Sequence, residues 1–190
     1  SALGYLLHNY NSPTDGQAII ANDEEISDLQ NPMGGTGKGL FANAIKQVRD
    51  VAKIDGKSFN PDDKFKFQNI SDSTQVVWFD EVKPGFGLDP FHSCLTDGWL
   101  IEKKYGHKFF IKAEDSPKLL ICGNSVILGK GTTNKRRQFV IEFSNHYSKQ
   151  IKSGVETPIE TEHGCIFFNR LQWDATEWNK FFSLCVFALS

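Results

Sequence analysis

A chain of 190 residues with 39% hydrophobic and 23% charged residues has the length and composition of one soluble globular domain. Its formal net charge of −2 excludes a protein that is basic overall, but not a local basic patch that grips nucleic acid. The four cysteines form no C-x-x-C pair, and there is neither a signal peptide nor an apolar run of about 18 residues. We therefore expect a cytoplasmic protein without a zinc site, a disulfide framework or a membrane span.

Hydrophobic periodicity alternates between strand and helix along the chain. In chain order it predicts a helix over 3–10, a strand over 18–22, a helix over 39–51, strands over 51–56 and 76–82, a short helix over 88–97 capped by Asp89, a hairpin of strands 99–104 and 108–113, strands over 118–124 and 136–143, and an amphipathic helix over 173–189. This alternation indicates the α/β class, with a parallel sheet flanked by helices and a β-hairpin before the strand that ends in Asn124. We divide the chain into an N-terminal helical segment (1–17), a core (18–146) and a C-terminal helical tail (147–190) that packs on the core.

A glycine-rich loop, NPMGGTGKGLFANAI over 31–45, leads into the second predicted helix. Glycines let backbone N–H groups point at a phosphate, the helix N-terminus attracts the same anion, and Lys38 adds a positive charge. The loop departs from the usual G-x-x-x-x-G-K-[ST] pattern, because Pro32 stands at the first glycine and Gly39 replaces the hydroxyl residue. A surface turn before a helix is the alternative interpretation. The nucleotide-binding candidates are Gly34, Gly35, Thr36, Gly37, Lys38, Gly39 and Leu40.

Polar residues end two of the predicted strands, at the edge where parallel sheets bind ligands. Asp80 and Glu81 lie in the apolar run VVWFDEV. Asp80 is the candidate that holds Mg²⁺ through water, and Glu81 is the candidate that polarises the attacking water. Asn124 ends the run LLICGN and is the candidate that hydrogen-bonds that water or the γ-phosphate. The alternatives are a core strand whose acids meet solvent and a turn-forming asparagine.

An arginine pair begins the last predicted strand. One of Arg136 and Arg137 is the candidate for an arginine finger that reaches the γ-phosphate held by a neighbouring subunit. Two arginines at the start of a strand are otherwise solvated charge. The pair therefore gains meaning only from the motifs that precede it.

This ordered set of motifs resembles the superfamily 3 helicases, and within them the ATPase domain of phage and mobile-element primase-helicases. The resemblance covers residues 18–146 and rests on the glycine loop, VVWFDEV, the hairpin, KLLICGN and the arginine pair. It implies an AAA+-like P-loop core that hydrolyses ATP with Mg²⁺. It also implies a homo-hexameric ring of the full-length protein around single-stranded DNA, with a primase domain that can be linked to the same chain.

The hairpin is the feature that points to DNA rather than to another AAA+ substrate. Superfamily 3 helicases, which this chain resembles, carry basic residues in the hairpin, and those residues grip the DNA strand in the pore of the ring. In this sequence cations would track phosphates and a tyrosine would stack on a base. An ordinary hairpin with a solvated, lysine-rich tip is the alternative. The DNA-binding candidates are Lys103, Lys104, Tyr105, His107 and Lys108.

Three rival functions stay open. An AAA+ ATPase that acts on a partner other than nucleic acid would share the loop, the two acids and Asn124, but would replace the lysine hairpin with an aromatic, hydrophobic pore loop. A degenerate nucleotide-binding scaffold, in which the nucleotide only stiffens a ring, is favoured by Gly39. A small-molecule kinase would need neither the Asp-Glu strand end nor the arginine pair.

Overall fold

A five-stranded parallel sheet lies at the centre of the protein in a computed structural model. The structure describes residues 1–12, 14–25, 34–124 and 132–190, apart from the side chain at position 133, so Pro32 lies outside the described residues. The elements are α1 (Ala2–Leu7), β1 (Ala18–Asp23), α2 (Lys38–Lys46), β2 (Val51–Asp55), β3 (Val76–Val82), α3 (His92–Thr96), β4 (Gly98–Ile101), β5 (Phe109–Lys112), β6 (Lys118–Gly123), α4 (Thr132–Arg136), β7 (Gln138–Phe143), α5 (His146–Lys152), α6 (Pro158–His163) and α7 (Ala175–Leu189), with 3₁₀ turns at Asp89–Phe91 and Ala113–Asp115. The predicted α/β class is confirmed, and so is the hairpin, formed by β4 and β5, ahead of the strand that leads to Asn124.

The order of the strands creates a crevice at one edge of the sheet. The order is β2-β3-β6-β1-β7, and every neighbouring pair is parallel. After β1 the chain continues to β2, beyond β6, whereas after β6 it continues to β7, beyond β1. These two connections diverge between β1 and β6, and the carboxyl ends of strands at such a point form the usual ligand crevice of an open α/β sheet. We call this edge of the sheet the carboxyl edge and the opposite one the amino edge.

Alternating side chains bury both faces of the sheet. Ile20 and Phe79 point to a cluster that also contains buried residues of α3, β4 and β5. Their neighbours Ile19 and Trp78 point to a second cluster, which contains buried residues of α1, α2 and α7. Successive side chains of a strand lie on opposite faces, so strands covered on both sides read as continuous apolar runs. This explains why AIIA and VVWF are apolar at every position.

Several predicted boundaries are corrected by the structure. The helix predicted over 39–51 ends at Lys46, because β2 begins at Val51 and the chain must turn before it. Asp89 was expected to cap a helix, but it is the first residue of a 3₁₀ turn, and its carboxylate accepts a hydrogen bond from Asn134 Nδ2 at 3.2 Å. The hairpin strands are shorter than predicted, which leaves 102–108 as the loop. β7 begins at Gln138, after the arginine pair.

The C-terminal region forms three helices, of which the sequence predicted only the last. α5 and α6 are short, whereas α7 is capped by the Asp174 carboxylate, which accepts from the backbone N–H groups of Thr176 and Glu177. Phe181 and Cys185 of α7 are buried in the second cluster. The domain boundaries at 17 and 146 remain predictions. Within the described residues, no helix combines the length and the apolar character that crossing a membrane requires.

Candidate functional site

A cleft of about 410 Å³ lies at the carboxyl edge of the sheet. The structure brings three separate groups of sequence candidates to its wall: the whole loop over 34–40, the acids Asp80 and Glu81, and Asn124. These groups follow β1, end β3 and follow β6, respectively. Six further residues line the cleft and were not predicted from the sequence: Cys122, Gly123, Tyr147, Ile151, Pro158 and Ile159.

Two glycines of the loop are required by the backbone conformation. Gly35 has φ +84° and Gly37 has φ +108°, in the left-handed region that side chains with a Cβ rarely adopt. A Cβ at Gly35 would also lie 2.4 Å from Ile151 Cδ1. Gly34 and Gly39 differ, because a Cβ at either position would meet nothing within 4 Å. The geometry therefore demands glycine at 35 and 37 and tolerates a side chain at 34 and 39.

The N-terminus of α2 lies in the wall of the cleft. Lys38 is the first residue of this nine-residue helix, and its N-cap residue, Gly37, has no side chain that could cap it. The first intrahelical bond is donated by Phe41 N to Gly37 O at 2.9 Å, so the N–H groups of the three preceding helical residues come before the hydrogen-bonded ladder. Free N–H groups and the positive end of the helix dipole attract an anion. The loop and the helix together can bind a phosphate.

Asp23 is a residue of the site that the sequence analysis missed. It ends β1, is 6% exposed, and its Oδ1 accepts a hydrogen bond from Thr36 Oγ1 at 2.5 Å. The same oxygen forms an ion pair with Lys38 Nζ, which also donates to Thr36 Oγ1 at 3.2 Å. Asp23 comes after an apolar run in β1, just as Asp80 comes after one in β3, and that was the available signal. The chain from 24 to 33 separates the strand from the glycines and obscured it.

The two acids at the end of β3 each meet a lysine. Asp80 Oδ2 lies 2.6 Å from Lys53 Nζ, and the Asp80 side chain is 24% exposed. Glu81 Oε2 lies 2.5 Å from Lys57 Nζ, and both side chains are mostly exposed. Glu81 has φ +52°, and the pairing of β3 with β6 is irregular between Phe79 and Val82. The strand pairing is therefore interrupted at these two carboxylates, and irregularities of this kind recur beside active sites.

The chemistry of these donors suits Mg²⁺ only together with a phosphate. Among the described residues, no group of three or more His, Cys, Asp or Glu side chains is arranged to hold a metal. Mg²⁺ is commonly held by one or two carboxylates and the phosphates of its substrate, and it keeps several waters. Asp80, a partly exposed carboxylate that lines the cleft, fits that requirement. Gly39, which lacks a hydroxyl, adds no ligand.

The floor of the cleft is formed by the end of β6. Asn124 is half-buried directly after this strand and presents an uncharged amide to the site. Cys122 is buried, and burial raises the pKa of its thiol to about 12, so it stays protonated and unreactive. The floor therefore contributes polarity without charge.

Helices α5 and α6 close one side of the cleft with mostly apolar side chains. The Tyr147 hydroxyl lies 2.8 Å from His163 Nε2, His146 Nε2 lies 2.6 Å from Glu162 Oε2, and Gln150 Nε2 donates to the same Glu162 oxygen at 2.9 Å, so side-chain contacts join the two helices. The hydrogen bond with His146 lowers the pKa of the Glu162 carboxyl below its usual value. This wall has the apolar character that a nucleobase requires. Its members in the cleft are Tyr147, Ile151, Pro158 and Ile159.

Arg136 and Arg137 lie away from the cleft of their own chain. They immediately precede β7, and the Arg137 carbonyl accepts from Ala18 N, the first residue of β1, at 2.8 Å. Arg137 Nη1 donates to Gly16 O at 3.2 Å, and the Arg136 carbonyl accepts from Gln17 Nε2 at 3.0 Å. The pair is therefore at the amino edge of the sheet.

The hairpin tip carries exposed cations and one exposed aromatic ring. Tyr105 is 95% exposed, with Lys104 Nζ 5.7 Å from its ring centroid. Lys103 is half-buried, with its Nζ 5.7 Å from the centroid of Phe109. His107 is exposed.

Lys108 differs from the other lysines of the tip because it has an acidic partner. Its Nζ lies 3.1 Å from Glu102 Oε1, and Lys64 Nζ lies 3.1 Å from Glu102 Oε2. The hydrogen bonds from Lys108 and Lys64 hold the pKa of the Glu102 carboxyl below its usual value. Lys103, Lys104 and His107 are therefore better placed than Lys108 to meet a polyanion.

Comparison with known proteins gives similarity in shape but not in sequence. No protein-family model matches the chain, and no curated protein matches it. Among solved structures, the apo A form of the NrS-1 C-terminal region is 16% identical over 92% of this chain with a TM-score of 0.49, and JCV helicase bound to a phenoxyphenyl acetamide is 15% identical over 90% with a TM-score of 0.48. The chain spans 35% and 51% of the lengths of those two chains. A helicase is thus among the structures that the chain is similar to in shape.

Proposed function

We propose that this chain is the ATP-hydrolysing motor domain of a superfamily 3-type DNA helicase, of the kind found in phage and mobile-element primase-helicases. One observation carries the proposal: the glycine loop, the Asp80–Glu81 pair and Asn124 come from three separate strand ends and line one cleft at the carboxyl edge of a parallel sheet. The carboxyl ends of parallel strands share an edge in any case, but a surface turn, a solvated strand end and a turn-forming asparagine do not account for a lysine, two carboxylates and an amide that line one cleft. Nucleoside triphosphate hydrolysis requires these groups together.

In the proposed reaction the loop and the N-terminus of α2 bind the phosphates, and Lys38 donates to the outer ones. Asp80 would hold Mg²⁺, and the ion would supply positive charge that neutralises the transferred phosphoryl group. Asn124 orients the water that attacks the γ-phosphorus and Glu81 accepts its proton, while the bond from that phosphorus to the bridging oxygen breaks and ADP leaves. Lys53 and Lys57 must release the two carboxylates for these roles. The apolar side chains of α5 and α6 pack on the base.

We propose that the arginine pair acts in a neighbouring subunit of a homo-hexameric ring. Arg136 and Arg137 lie at the amino edge of their own chain, so neither can serve the cleft at its carboxyl edge. In a head-to-tail ring the amino edge of one subunit would meet the cleft of the next, and each interface would then contain a complete site. Hydrolysis would therefore require assembly.

We propose that the hairpin binds single-stranded DNA, in a full-length protein that can carry a linked primase domain. Lys103, Lys104 and His107 supply cations, and the exposed ring of Tyr105 offers a surface on which a base can stack. Lys108 would contribute after release from Glu102. These features support DNA as the substrate more than a protein partner, which would favour an apolar tip.

The test is ATP hydrolysis with Mg²⁺, with and without single-stranded DNA, over a series of protein concentrations. We expect turnover per subunit to rise with concentration and with DNA, and Lys38→Ala to abolish nucleotide binding. If Lys38→Ala binds ATP as tightly as the wild type, the phosphate site does not lie in this cleft. Turnover that is indifferent to DNA would favour an AAA+ ATPase acting on another kind of partner.

A degenerate nucleotide-binding scaffold is the second candidate, and Gly39 favours it. The position that usually carries a metal-binding hydroxyl has none, so binding without turnover is the expected behaviour of such a domain. The open space around Gly39 makes the test clean, because a serine side chain fits without a clash. Turnover that appears only in Gly39→Ser would establish the scaffold and identify the missing hydroxyl as its cause.

A further inference from the structure

The ion pair between Asp23 and Lys38 is unusual in this protein for its burial. The Asp23 side chain is 6% exposed and the Lys38 side chain is 12% exposed. Every other ion pair among the described residues includes a far more exposed side chain. Thr36 completes a closed triangle, since its hydroxyl contacts both partners.

Burial makes this contact consequential for both charges. A buried ammonium or carboxylate that loses its partner is costly, whereas the intact pair is compensated. In the proposed reaction Lys38 must donate to phosphate, so the same ammonium is claimed by two anions. A phosphate that takes Lys38 leaves the Asp23 carboxylate with Thr36 and close to a second negative charge.

We propose that Asp23 is the partner of Lys38 in the nucleotide-free protein and competes with phosphate for it, so that Asp23 weakens the affinity of the cleft for nucleotide. This inference rests on the proposed nucleotide site and adds a residue that opposes binding there. Release of product is the step that benefits, because Asp23 recaptures the lysine as phosphate leaves. Asp23 acts through Lys38 and is a positioning residue.

A purely structural role for Asp23 gives a different signature. The ion pair spans 15 positions of sequence and joins the end of β1 to the start of α2, so removing the charge destabilises the nucleotide-free protein under either interpretation. If Asp23 only held the loop in shape, its loss would weaken nucleotide binding as well. If it competes, stability falls while affinity rises.

The experiment compares the wild type with Asp23→Asn, which keeps the shape and an oxygen that can accept from Thr36 but removes the charge. Glu24→Gln is the matched control, because the next residue is an exposed acid and the variant loses the same charge without touching Lys38. The affinity for ADP with Mg²⁺ is measured by isothermal titration calorimetry on the full chain, and Tm is measured without nucleotide. If Asp23→Asn does not fold, Asp23→Ser, which is smaller and also neutral, takes its place.

We expect Asp23→Asn to bind ADP about tenfold more tightly, as a coupling of about 1.4 kcal/mol between close charges implies. We also expect its Tm without nucleotide to be lower, and both quantities to stay unchanged in Glu24→Gln. Unchanged or weaker ADP binding in Asp23→Asn overturns the inference, and so does equal tightening in Glu24→Gln, which would indicate a general effect of charge. A wild type that does not bind ADP would instead contradict the proposed function. Binding that Lys38→Ala abolishes but Asp23→Asn fails to tighten removes only the role of Asp23.

Discussion

Gly35→Ala adds a single methyl group to the loop of the cleft, at the position where the structure is least tolerant of one. Gly35 has φ +84°, and the added Cβ would lie 2.4 Å from Ile151 Cδ1. Gly39→Ala adds the same methyl group four positions further on, where nothing lies within 4 Å. The two variants are therefore a matched pair that differs in local geometry and not in chemistry.

The expected cost at Gly35 follows from two contributions. A residue with a Cβ in the left-handed region costs about 1–2 kcal/mol. Ile151 Cδ1 is the end of a flexible, 44% exposed side chain, so it moves aside for about 1 kcal/mol of rotamer strain. Alanine has fewer conformations than glycine in the unfolded chain, and the smaller entropy loss on folding stabilises the variant by about 0.5 kcal/mol. The net effect lowers the free energy of unfolding by about 2 kcal/mol. For a domain of this size that lowers Tm by about 4–8 °C.

The expected effect at Gly39 has the opposite sign. Gly39 is the second residue of α2, and alanine there gains up to about 1 kcal/mol because it restricts the unfolded chain more than glycine does. Differential scanning calorimetry of the nucleotide-free protein measures both shifts. Titration with ADP and Mg²⁺ then shows whether the displaced loop has lost its site. We expect the affinity to fall at least about tenfold in Gly35→Ala, because the phosphate-facing N–H groups move, and to stay near the wild-type value in Gly39→Ala.

A Tm for Gly35→Ala that equals or exceeds that of Gly39→Ala would refute this reasoning. The loop would then not hold a left-handed residue at position 35, and the contact between the loop and α5 would be absent. Lower stability with unchanged ADP affinity would refute only the second half, and would separate the loop conformation from phosphate binding.

Glu81→Gln should keep nucleotide affinity but lower the hydrolysis rate about 100-fold or more, since it loses its proton-accepting role; separate measurements of ADP affinity and kcat check this, and an unchanged kcat excludes Glu81 from the chemistry. Lys103→Ala with Lys104→Ala should weaken single-stranded DNA binding and reduce the dependence of the binding constant on salt, and an unchanged salt slope would make the hairpin tip merely solvated. Burial and, to a smaller extent, Arg49 lower the pKa of the buried Lys118 ammonium to about 8, so the unfolded chain binds more protons than the folded one between about pH 8 and about pH 10. The free energy of unfolding of the wild type should therefore rise with pH over that window, by about 2 kcal/mol relative to that of Lys118→Met. Urea titrations of both proteins at several pH values measure this, and the same pH dependence in both would contradict it.

The sequence by itself determined where the strands lie along the chain and which residues form most of the cleft. Strands covered on both faces must be apolar at every position, so VVWF and LLIC were recognisable without knowledge of their neighbours. The acids and the asparagine that follow such strands must lie at one edge of a parallel sheet, which is why Asp80, Glu81 and Asn124 were found together. These properties are local or follow from the rules of α/β connection.

Only the tertiary structure decided which side chains meet across the sheet. Asp23 became part of the site because β1 ends beside the glycine loop, which begins more than ten residues later in the sequence. The short helices α5 and α6 show no strong periodicity, yet packing brings Tyr147 and Ile159 to the same cleft. Arg136 was predicted from motif order, but its place at the amino edge depends on β7 pairing with β1. Contacts of this kind depend on long-range pairing, which a pattern of neighbouring residues does not encode.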